Sequence, residues 1–313
     1  MLAVTLAASL AAGCTAGGGR GSDDGRGPDP ESSGSDGTAY GAGDGSVLAV
    51  KIDNSRRARP HTGLNAADVV YVEQVEGGLS RLMAVYATGL PKAVGPVRSA
   101  RESDLELLRQ FDRPTLAFSG AQRKLLPLID MAPLNAQPPE RTPGAYYRGA
   151  GRPAPHNLYL SPDRLVPAPP GAEALTTGFR YGAAPEGGVP LSSRTVTYPA
   201  AGFTFTWSES RARWLVSMDG TAATTTDAGE VAPATVVVQY VHLRPSEYFD
   251  SLGHNTPFTE TVGEGRAEVL RDGKVHHVEW KRATAFEGTR FTTNDGAPVN
   301  FAEGQVWVVF ATA

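Results

Sequence analysis

The sequence predicts an α+β protein: a mixed-sheet N-terminal domain with flanking helices, followed by a β-rich C-terminal domain. Three observations predict this class. The chain has 313 residues, of which 41% are hydrophobic and 20% are charged, values typical of globular domains. Strand-like and helix-like patterns mix over residues 46–175. Residues 189–313 instead hold short strand-like segments with almost no helical pattern.

The N-terminus has the pattern of a lipoprotein secretory signal. An apolar run ends in small residues directly before Cys14, the only cysteine of the chain. Small side chains fit the cleft of the signal peptidase, and the thiol then accepts a diacylglyceryl group. We therefore predict a signal peptide over residues 1–14, lipidation of Cys14, and an extracytoplasmic protein anchored to the cell membrane. The alternative is a chance cysteine in a plain signal peptide.

Residues 15–45 are rich in Gly, Ser and Asp. Such a segment cannot bury enough apolar surface to offset the entropy of ordering, so we predict a disordered tether between the membrane and a folded body. No later apolar run reaches the roughly 18 residues that a transmembrane helix needs, so the lipid is the predicted anchor.

The predicted N-terminal domain covers residues 46–175 and carries the strongest strand signals. Gly77-Gly78 is a turn signal between two apolar runs, which predicts a hairpin. The predicted strands lie at residues 47–52, 69–75, 79–88 and 115–118. The predicted helices lie at residues 104–111, capped by Ser103 or Glu102, and near residues 121–129. Residues 130–171 are mostly loop, and a loop of this length inside a compact domain is often functional.

The predicted C-terminal domain covers residues 189–313. Asp-Gly turn signals begin at Asp219, Asp272 and Asp295 and separate short strands. The eight predicted strands lie at residues 196–198, 203–207, 213–217, 235–243, 266–271, 275–281, 290–293 and 306–310. Short strands without helices predict a small β-rich domain or a sheet layer.

Arginines cluster around the predicted hairpin and recur in the long loop, which predicts a binding site for an anion. The proposed ligand-binding residues are Arg81, Arg98, Ser99, Arg101, Arg148, Arg152, His156 and Asn157. Arginine suits phosphate or carboxylate because its fork gives two parallel charge-assisted hydrogen bonds. The loop before a helix adds free backbone N–H groups. The alternative is that the arginines pair internally with Glu73, Glu76, Glu102 and Asp104.

Three residues are candidates for catalysis. Asp53 follows a buried strand, a usual place for a functional carboxylate, although capping of a turn is the alternative. Glu76 lies beside the arginines and could act as a base or metal ligand. His156 stands among prolines, where it could act as a general acid or base or could hold the loop.

Other classes of function lack a signal in the sequence. No metal-binding spacing, phosphate-binding loop, dinucleotide fingerprint or nucleophile elbow occurs, so we predict neither a metal nor a cofactor. The net charge of −4 argues against bulk attraction to nucleic acid.

Several motifs between residues 46 and 311 form a recognisable set. They are Lys51-Ile52-Asp53-Asn54, Ala58-Arg59-Pro60, Gly63-Leu64, Ala67-Asp68-Val69-Val70-Tyr71, Val75-Glu76-Gly77-Gly78, Arg81, Gly95-Pro96-Val97-Arg98-Ser99-Ala100-Arg101, Pro155-His156-Asn157-Leu158-Tyr159, Trp280-Lys281 and Gly304-Gln305-Val306-Trp307. This set resembles the YerB-type bacterial lipoproteins, a two-domain family of unknown function. The resemblance implies a membrane-anchored extracytoplasmic protein and brings no established substrate.

The sequence therefore predicts an envelope lipoprotein that binds an anionic cell-envelope ligand, bearing phosphate or carboxylate, through its arginine cluster. Two alternatives stay open. One is an envelope transferase or hydrolase acting on such a ligand, with Asp53 or Glu76 as base or metal ligand. The other is a non-enzymatic assembly or scaffold lipoprotein.

Overall fold

A computed structural model describes residues 45–250 and 253–313. The predicted signal peptide, the lipidation of Cys14 and all but the last residue of the predicted tether lie outside the described residues. Within them, no helix is both long and apolar enough to cross a membrane.

Strands and two short helices form the N-terminal part. Its strands are β1 (Leu48–Asp53), β2 (Val69–Gln74), β3 (Ser80–Tyr86), β4 (Thr115–Ala117), β5 (Asn135–Gln137), β6 (Tyr146–Arg148) and β7 (Leu158–Leu160). The α-helices of the described residues are α1 (Glu102–Leu108) and α2 (Leu126–Met131). Helix α1 begins at Glu102, two residues before the predicted start, where the Asp104 carboxylate accepts a hydrogen bond from the Arg101 N–H at 2.7 Å.

The C-terminal part is built of strands joined by turns and loops, with no helix among its described residues. Its strands are β8 (Arg180–Tyr181), β9 (Val189–Pro190), β10 (Ser193–Tyr198), β11 (Ala201–Ser208), β12 (Arg213–Met218), β13 (Thr221–Ala222), β14 (Thr224–Thr225), β15 (Gly229–Glu230), β16 (Thr235–Val241), β17 (Leu243–Phe249), β18 (Asn255–Thr259), β19 (Gly263–Arg271), β20 (Lys274–Arg282), β21 (Arg290–Thr292), β22 (Asn300–Phe301) and β23 (Val306–Thr312). Each of the eight predicted strands overlaps one of these. The hairpin of β17 and β18 was not predicted.

One large mixed sheet joins the two parts. Its order is β21-β20-β19-β16-β23-β2-β3-β1-β4-β5, with β9 beside β20. Strand β23 lies between β2 and β16 and pairs parallel with both. The predicted mixed sheet is confirmed, but it continues from the N-terminal into the C-terminal part, and the predicted flanking helices amount to two short ones among the described residues.

The sheet is covered on both faces, and each face has its own hydrophobic core. On one face β10, β11 and β12 contribute Tyr198, Phe203 and Trp214 to a core with residues such as Val50. On the other, which we call the helix face, α1 and its neighbours contribute residues such as Leu107. The described residues from 45 onwards form one compact unit that contains both cores, so this body has what independent folding requires.

Candidate functional site

A cavity of about 660 Å³ opens on the helix face, at the end of β1 and the start of β3. We call it the arginine cavity because Arg81, Arg98 and Arg101 all line it. The other ionisable side chains that line it are Asp53, Glu76, Glu102, His156 and Asp250. Its volume falls within the roughly 300–1,000 Å³ usual for small-ligand pockets.

The side-chain alternation of two strands places Asp53 and Arg81 at this cavity. Val50 and Ile52 of β1 enter one core, so Asp53 points to the helix face. Asp53 is the last residue of β1 and lies opposite Arg81 in the antiparallel pair of β1 and β3. The pairing of β1 with β3 therefore fixes both residues at the ends of their strands.

The loop between β3 and α1 brings in the other two arginines. Its backbone is tied to the sheet by a hydrogen bond from the Arg98 N–H to the Lys51 carbonyl at 2.8 Å. The Ser119 N–H donates to the Arg98 carbonyl at 2.9 Å, and the Ala100 N–H donates to the Gly120 carbonyl at 3.0 Å. These bonds hold the loop along the cavity wall, so the predicted convergence of Arg81, Arg98 and Arg101 does occur in the structure.

Arg101 uses its donors within the protein. Its Nη2 donates to Glu76 Oε2 at 2.8 Å, while its Nε lies 2.6 Å from Glu76 Oε1. Its Nη1 donates to the carbonyls of Ala100 and Ser99 at 2.9 and 3.2 Å. Glu76 also accepts a hydrogen bond from the Thr256 hydroxyl. Arg101 is thus paired within the protein, which is the alternative that the sequence analysis left open for the arginines.

Arg81 and Arg98 are different, and we call them the open arginines. Within the described ranges, Arg81 forms no ion pair, and its hydrogen bond runs from Nη1 to the Ser99 carbonyl at 2.9 Å. Arg98 Nε lies 3.5 Å from Asp53 Oδ2 and has no hydrogen bond. The Nη groups of Arg98 have no hydrogen-bond partner in the part of the chain that the structure describes and are not among its fully buried unpartnered atoms. These guanidinium donors therefore have no protein partner among the described residues.

The electrostatic surroundings of Arg81 favour an anion. Burial, and next the nearby charges of Arg101 and Arg98, lower the pKa of Arg81 to about 9. Glu76 and Asp53 act in the opposite direction but do not cancel the effect. The positive form of Arg81 is therefore held in an unfavourable place, and a bound anion would stabilise it.

Asp53 and His156 form a hydrogen-bonded pair at the cavity wall. His156 Nδ1 lies 2.8 Å from Asp53 Oδ2 and 3.1 Å from the Ser55 hydroxyl. Burial raises the pKa of Asp53, but the Ser55 amide, His156, Arg98 and Arg81 together hold it below its ordinary value. An ionised Asp53 stabilises the tautomer with its proton on Nδ1 and leaves Nε2 of His156 as an acceptor.

Glu76 is held as an ion. Burial alone would raise the pKa of Glu76, but its hydrogen bond and charge interaction with Arg101, helped by Thr256 and Arg81, lower it. Both of its oxygens already have partners. Glu76 is therefore placed to anchor Arg101 rather than to take up a proton.

Arg148, Arg152 and Asn157 do not line the arginine cavity. Arg148 donates to Asn157 Oδ1 at 2.8 Å, and Asn157 Nδ2 donates to the Gly149 carbonyl at 3.0 Å. Arg152 donates to the carbonyls of Ala58 and Pro60, both at 2.7 Å. These three side chains brace the loop that carries His156, and their predicted contact with a ligand stays a prediction.

Sequence reasoning missed two parts of the site. Lys51, buried in β1, donates to Glu73 and, at 2.7 Å, to Asp104, which removes both acids from the arginines. The unpredicted hairpin of β17 and β18 brings Phe249 and Thr256 to the cavity. The available signal for that hairpin was the period of two that places Ser246 with Tyr248, and Thr256 with Phe258, on one buried face of each strand.

No metal site is evident in residues 45–250 and 253–313. No group of three His, Cys, Asp or Glu side chains among them is arranged to hold an ion. The side chains of the arginine cavity themselves offer guanidinium donors and an imidazole, groups that in general bind anions and transfer protons.

Comparison with known proteins agrees with the motifs. Residues 34–174 match the N-terminal domain, and residues 194–308 the C-terminal domain, of a family described as protein of unknown function (DUF3048). The protein named "Putative lipoprotein YerB" of Bacillus subtilis (strain 168) is 25% identical over 280 residues, which cover 83% of this chain and 80% of YerB.

A solved structure has the same fold. The crystal structure of YerB from Bacillus subtilis matches with a TM-score of 0.70 and 20% identity, and the match covers 86% of this chain and 91% of that one. The resemblance to YerB-type proteins is therefore confirmed. With both of its domains matched in order, the chain belongs to the DUF3048 family.

Proposed function

We propose that this protein is a membrane-anchored lipoprotein of the cell envelope that binds a ligand bearing phosphate or carboxylate in the arginine cavity. The anchor is a lipid on Cys14, and residues 15–45 are the tether. The name of YerB as a lipoprotein supports the anchor and the extracytoplasmic location. The observation that carries the binding function is the pair of open arginines, which keep unused donors at a cavity wall.

The open arginines, rather than all five predicted arginines, are the proposed anion contacts. An anion placed between Arg81 and Arg98 would gain charge-assisted hydrogen bonds and would relieve the repulsion that lowers the pKa of Arg81. Arg101 holds the wall through Glu76, and Ser99 contributes the carbonyl on which Arg81 and Arg101 meet.

The test compares ligand retention in the body of residues 40–313 and in two arginine variants. Mass spectrometry would identify small molecules that co-purify, and calorimetry with inorganic phosphate and with acetate would measure affinity. Arg98→Ala should weaken binding by about 10- to 100-fold, because it removes charge-assisted hydrogen bonds. Arg290→Ala is the matched control, since this arginine is exposed on β21 and does not line the cavity.

Two results would contradict the binding function. One is the absence of any retained or titrated anion in the unaltered body. The other is an equal loss of affinity in Arg98→Ala and in Arg290→Ala. Either result would favour the alternative of a non-enzymatic assembly or scaffold lipoprotein.

Hydrolysis of the bound anion is a second candidate function, favoured by the contact of Asp53 with His156. For a phosphate ester, Nε2 of His156 would take a proton from water while the water oxygen attacks phosphorus. The ester bond to the leaving oxygen breaks, and that oxygen then receives the proton from His156. Asp53 acts as a positioning residue and stabilises the imidazolium.

Hydrolysis of p-nitrophenyl phosphate by the body of residues 40–313 tests this candidate. His156→Gln should reduce the rate by about 100-fold or more, as expected for the loss of a general base. His277→Gln is the control, because His277 is exposed on β20 and lies outside the arginine cavity. If the unaltered body and His156→Gln are equally inactive, the hydrolysis candidate is contradicted. Anion binding then stays the proposed function, and His156 has a structural role in its loop.

A further inference from the structure

The arginine cavity is larger than an anionic head group requires. Its volume of about 660 Å³ equals that of roughly twenty waters at about 30 Å³ each. A phosphate or carboxylate group between Arg81 and Arg98 would occupy only a small part of it. The remaining space must suit the rest of the ligand, so its lining indicates what that part is.

Apolar side chains form much of this remaining lining. We call Val75, Leu79, Leu125, Tyr248 and Phe249 the apolar rim. They come from separate segments: the turn before β3, the residue before α2, and the end of β17. Segments that are distant in sequence therefore converge to make one surface beside the arginines.

Two members of the apolar rim are exposed although they are large. Leu79 is 46% exposed and Phe249 is 50% exposed, whereas Val75 and Leu125 beneath them are buried. Exposed apolar surface beside a charged pocket is a common mark of a binding site. Here it is continuous with the cavity that holds the open arginines.

The turn geometry presents Leu79 in this position. Gly77 and Gly78 both have positive φ, at 65° and 71°, which reverses the chain directly before Leu79. A Cβ at Gly78 would lie 2.5 Å from the Pro199 side chain, so this turn packs closely against the neighbouring sheet layer. The backbone around Leu79 is thus fixed, which favours a preformed apolar wall.

We propose that the ligand is an amphiphile: an anionic phosphate or carboxylate head bound by Arg81 and Arg98, and an alkyl chain packed on the apolar rim. This inference rests on the proposed anion-binding function and names the class of ligand. The head supplies orientation, and burial of methylene groups against Leu79 and Phe249 supplies most of the affinity.

A series of alkyl phosphates tests the inference in the body of residues 40–313. Calorimetry would compare inorganic phosphate with butyl, hexyl and octyl phosphate, each kept below its micelle concentration. Affinity should rise by about fourfold for each methylene that is fully buried against the rim. The Leu79→Ser and Phe249→Ser variants should lose most of this rise while binding inorganic phosphate as before. Phe286→Ser is the control, since Phe286 is exposed but does not line the cavity.

A second arm separates two sources of the same head group. Sedimentation with phosphatidylcholine vesicles containing phosphatidic acid asks whether the body takes its ligand from a bilayer, whereas the monomeric alkyl phosphates represent a free amphiphile. Binding in either arm, weakened by Arg98→Ala and by Phe249→Ser, supports the inference.

The failures of the two proposals look different. Equal affinity for inorganic and octyl phosphate, or an equal loss in Phe286→Ser, overturns the amphiphile and leaves anion binding intact. Failure of inorganic phosphate, the alkyl phosphates and acetate alike to bind overturns both.

Discussion

Two charged clusters lie on the same helix face of the sheet, and they differ in how many of their donors are used. In the first, which we call the Lys51 cluster, one ammonium group bonds to the carboxylates of Glu73 and Asp104, and all three side chains are buried. The second is the arginine cavity, where Arg81 and Arg98 keep unused donors. Lys51 and Asp53 are only two residues apart on β1.

The difference teaches how to separate structural from functional charges in this fold. In the Lys51 cluster the ammonium group donates hydrogen bonds to two carboxylates. Asp104 also accepts from the Arg101 N–H in the first turn of α1. Buried charges persist only when they are paired and hydrogen-bonded, so this cluster is part of the framework. Among the described residues Arg81 has no ion pair and Arg98 has only the 3.5 Å contact with Asp53, which the fold tolerates because both arginines face a cavity.

The largest effect is expected from Lys51→Met. It would leave two acids buried without their cation, and we expect a loss of about 3–5 kcal/mol in the free energy of unfolding. Urea denaturation measures this value. Lys281→Met, at an exposed pair with Glu264, should leave the unfolding midpoint nearly unchanged. A small effect at Lys51 would show that its cluster is no more structural than the arginine cavity.

A smaller effect is expected from Arg101→Ala. It removes the partner of Glu76, which is 7% exposed, and we expect a loss of about 1–3 kcal/mol in the free energy of unfolding. Arg98→Ala, which breaks no hydrogen bond within the described residues, should cost less than about 1 kcal/mol. Thermal denaturation of both variants checks the ranking. The reverse order would erase the distinction between the paired arginine and the open ones.

The pH dependence of stability should also separate the clusters. Burial, with the charge of Asp104, raises the pKa of Glu73 to about 8, above its value of 4.5 in the unfolded chain. The folded state then binds more protons between these values, so its contribution is complete below about pH 4.5 and decreases as the pH rises towards 8. The slope for this one group is at most about 1.4 kcal/mol per pH unit.

Urea denaturation at several pH values between 5 and 8 measures that slope. Glu73→Gln should flatten it, because the amide does not titrate. Glu76→Gln should not, since the pKa of Glu76 is lowered and its titration lies at more acidic pH. An unchanged slope in Glu73→Gln would move the effect to another group.

Sequence patterns predicted much of the sheet, because apolar alternation and turn residues act locally. The hairpin turn at Gly77 and Gly78 and the eight C-terminal strands are examples. The start of α1 differs from the prediction by two residues, because the Asp104 carboxylate accepts from the Arg101 N–H and the helix begins at Glu102. The insertion of β23 beside β2 could not be predicted, since no local pattern encodes which distant strands pair.

The site was predicted in part, for a similar reason. Arg81, Arg98, Arg101, Asp53, Glu76 and His156 do meet at one cavity, and these residues lie in or near the strand ends. Lys51 was read only as part of an apolar strand, so its hold on Glu73 was missed. Phe249 belongs to a hairpin with weak alternation, and its place beside the arginines depends on tertiary packing.

The position of β23 has a consequence for how the protein folds. The last strand of the chain, Val306–Thr312, lies in the middle of the sheet, between β2 and β16. Until it arrives, both of those strands have an unpaired edge, which is a template for aggregation. Neither part can therefore complete its share of the sheet alone, because β2 and β16 both gain their second neighbour only when β23 is inserted between them. We expect the two sequence domains to fold and unfold as one cooperative unit.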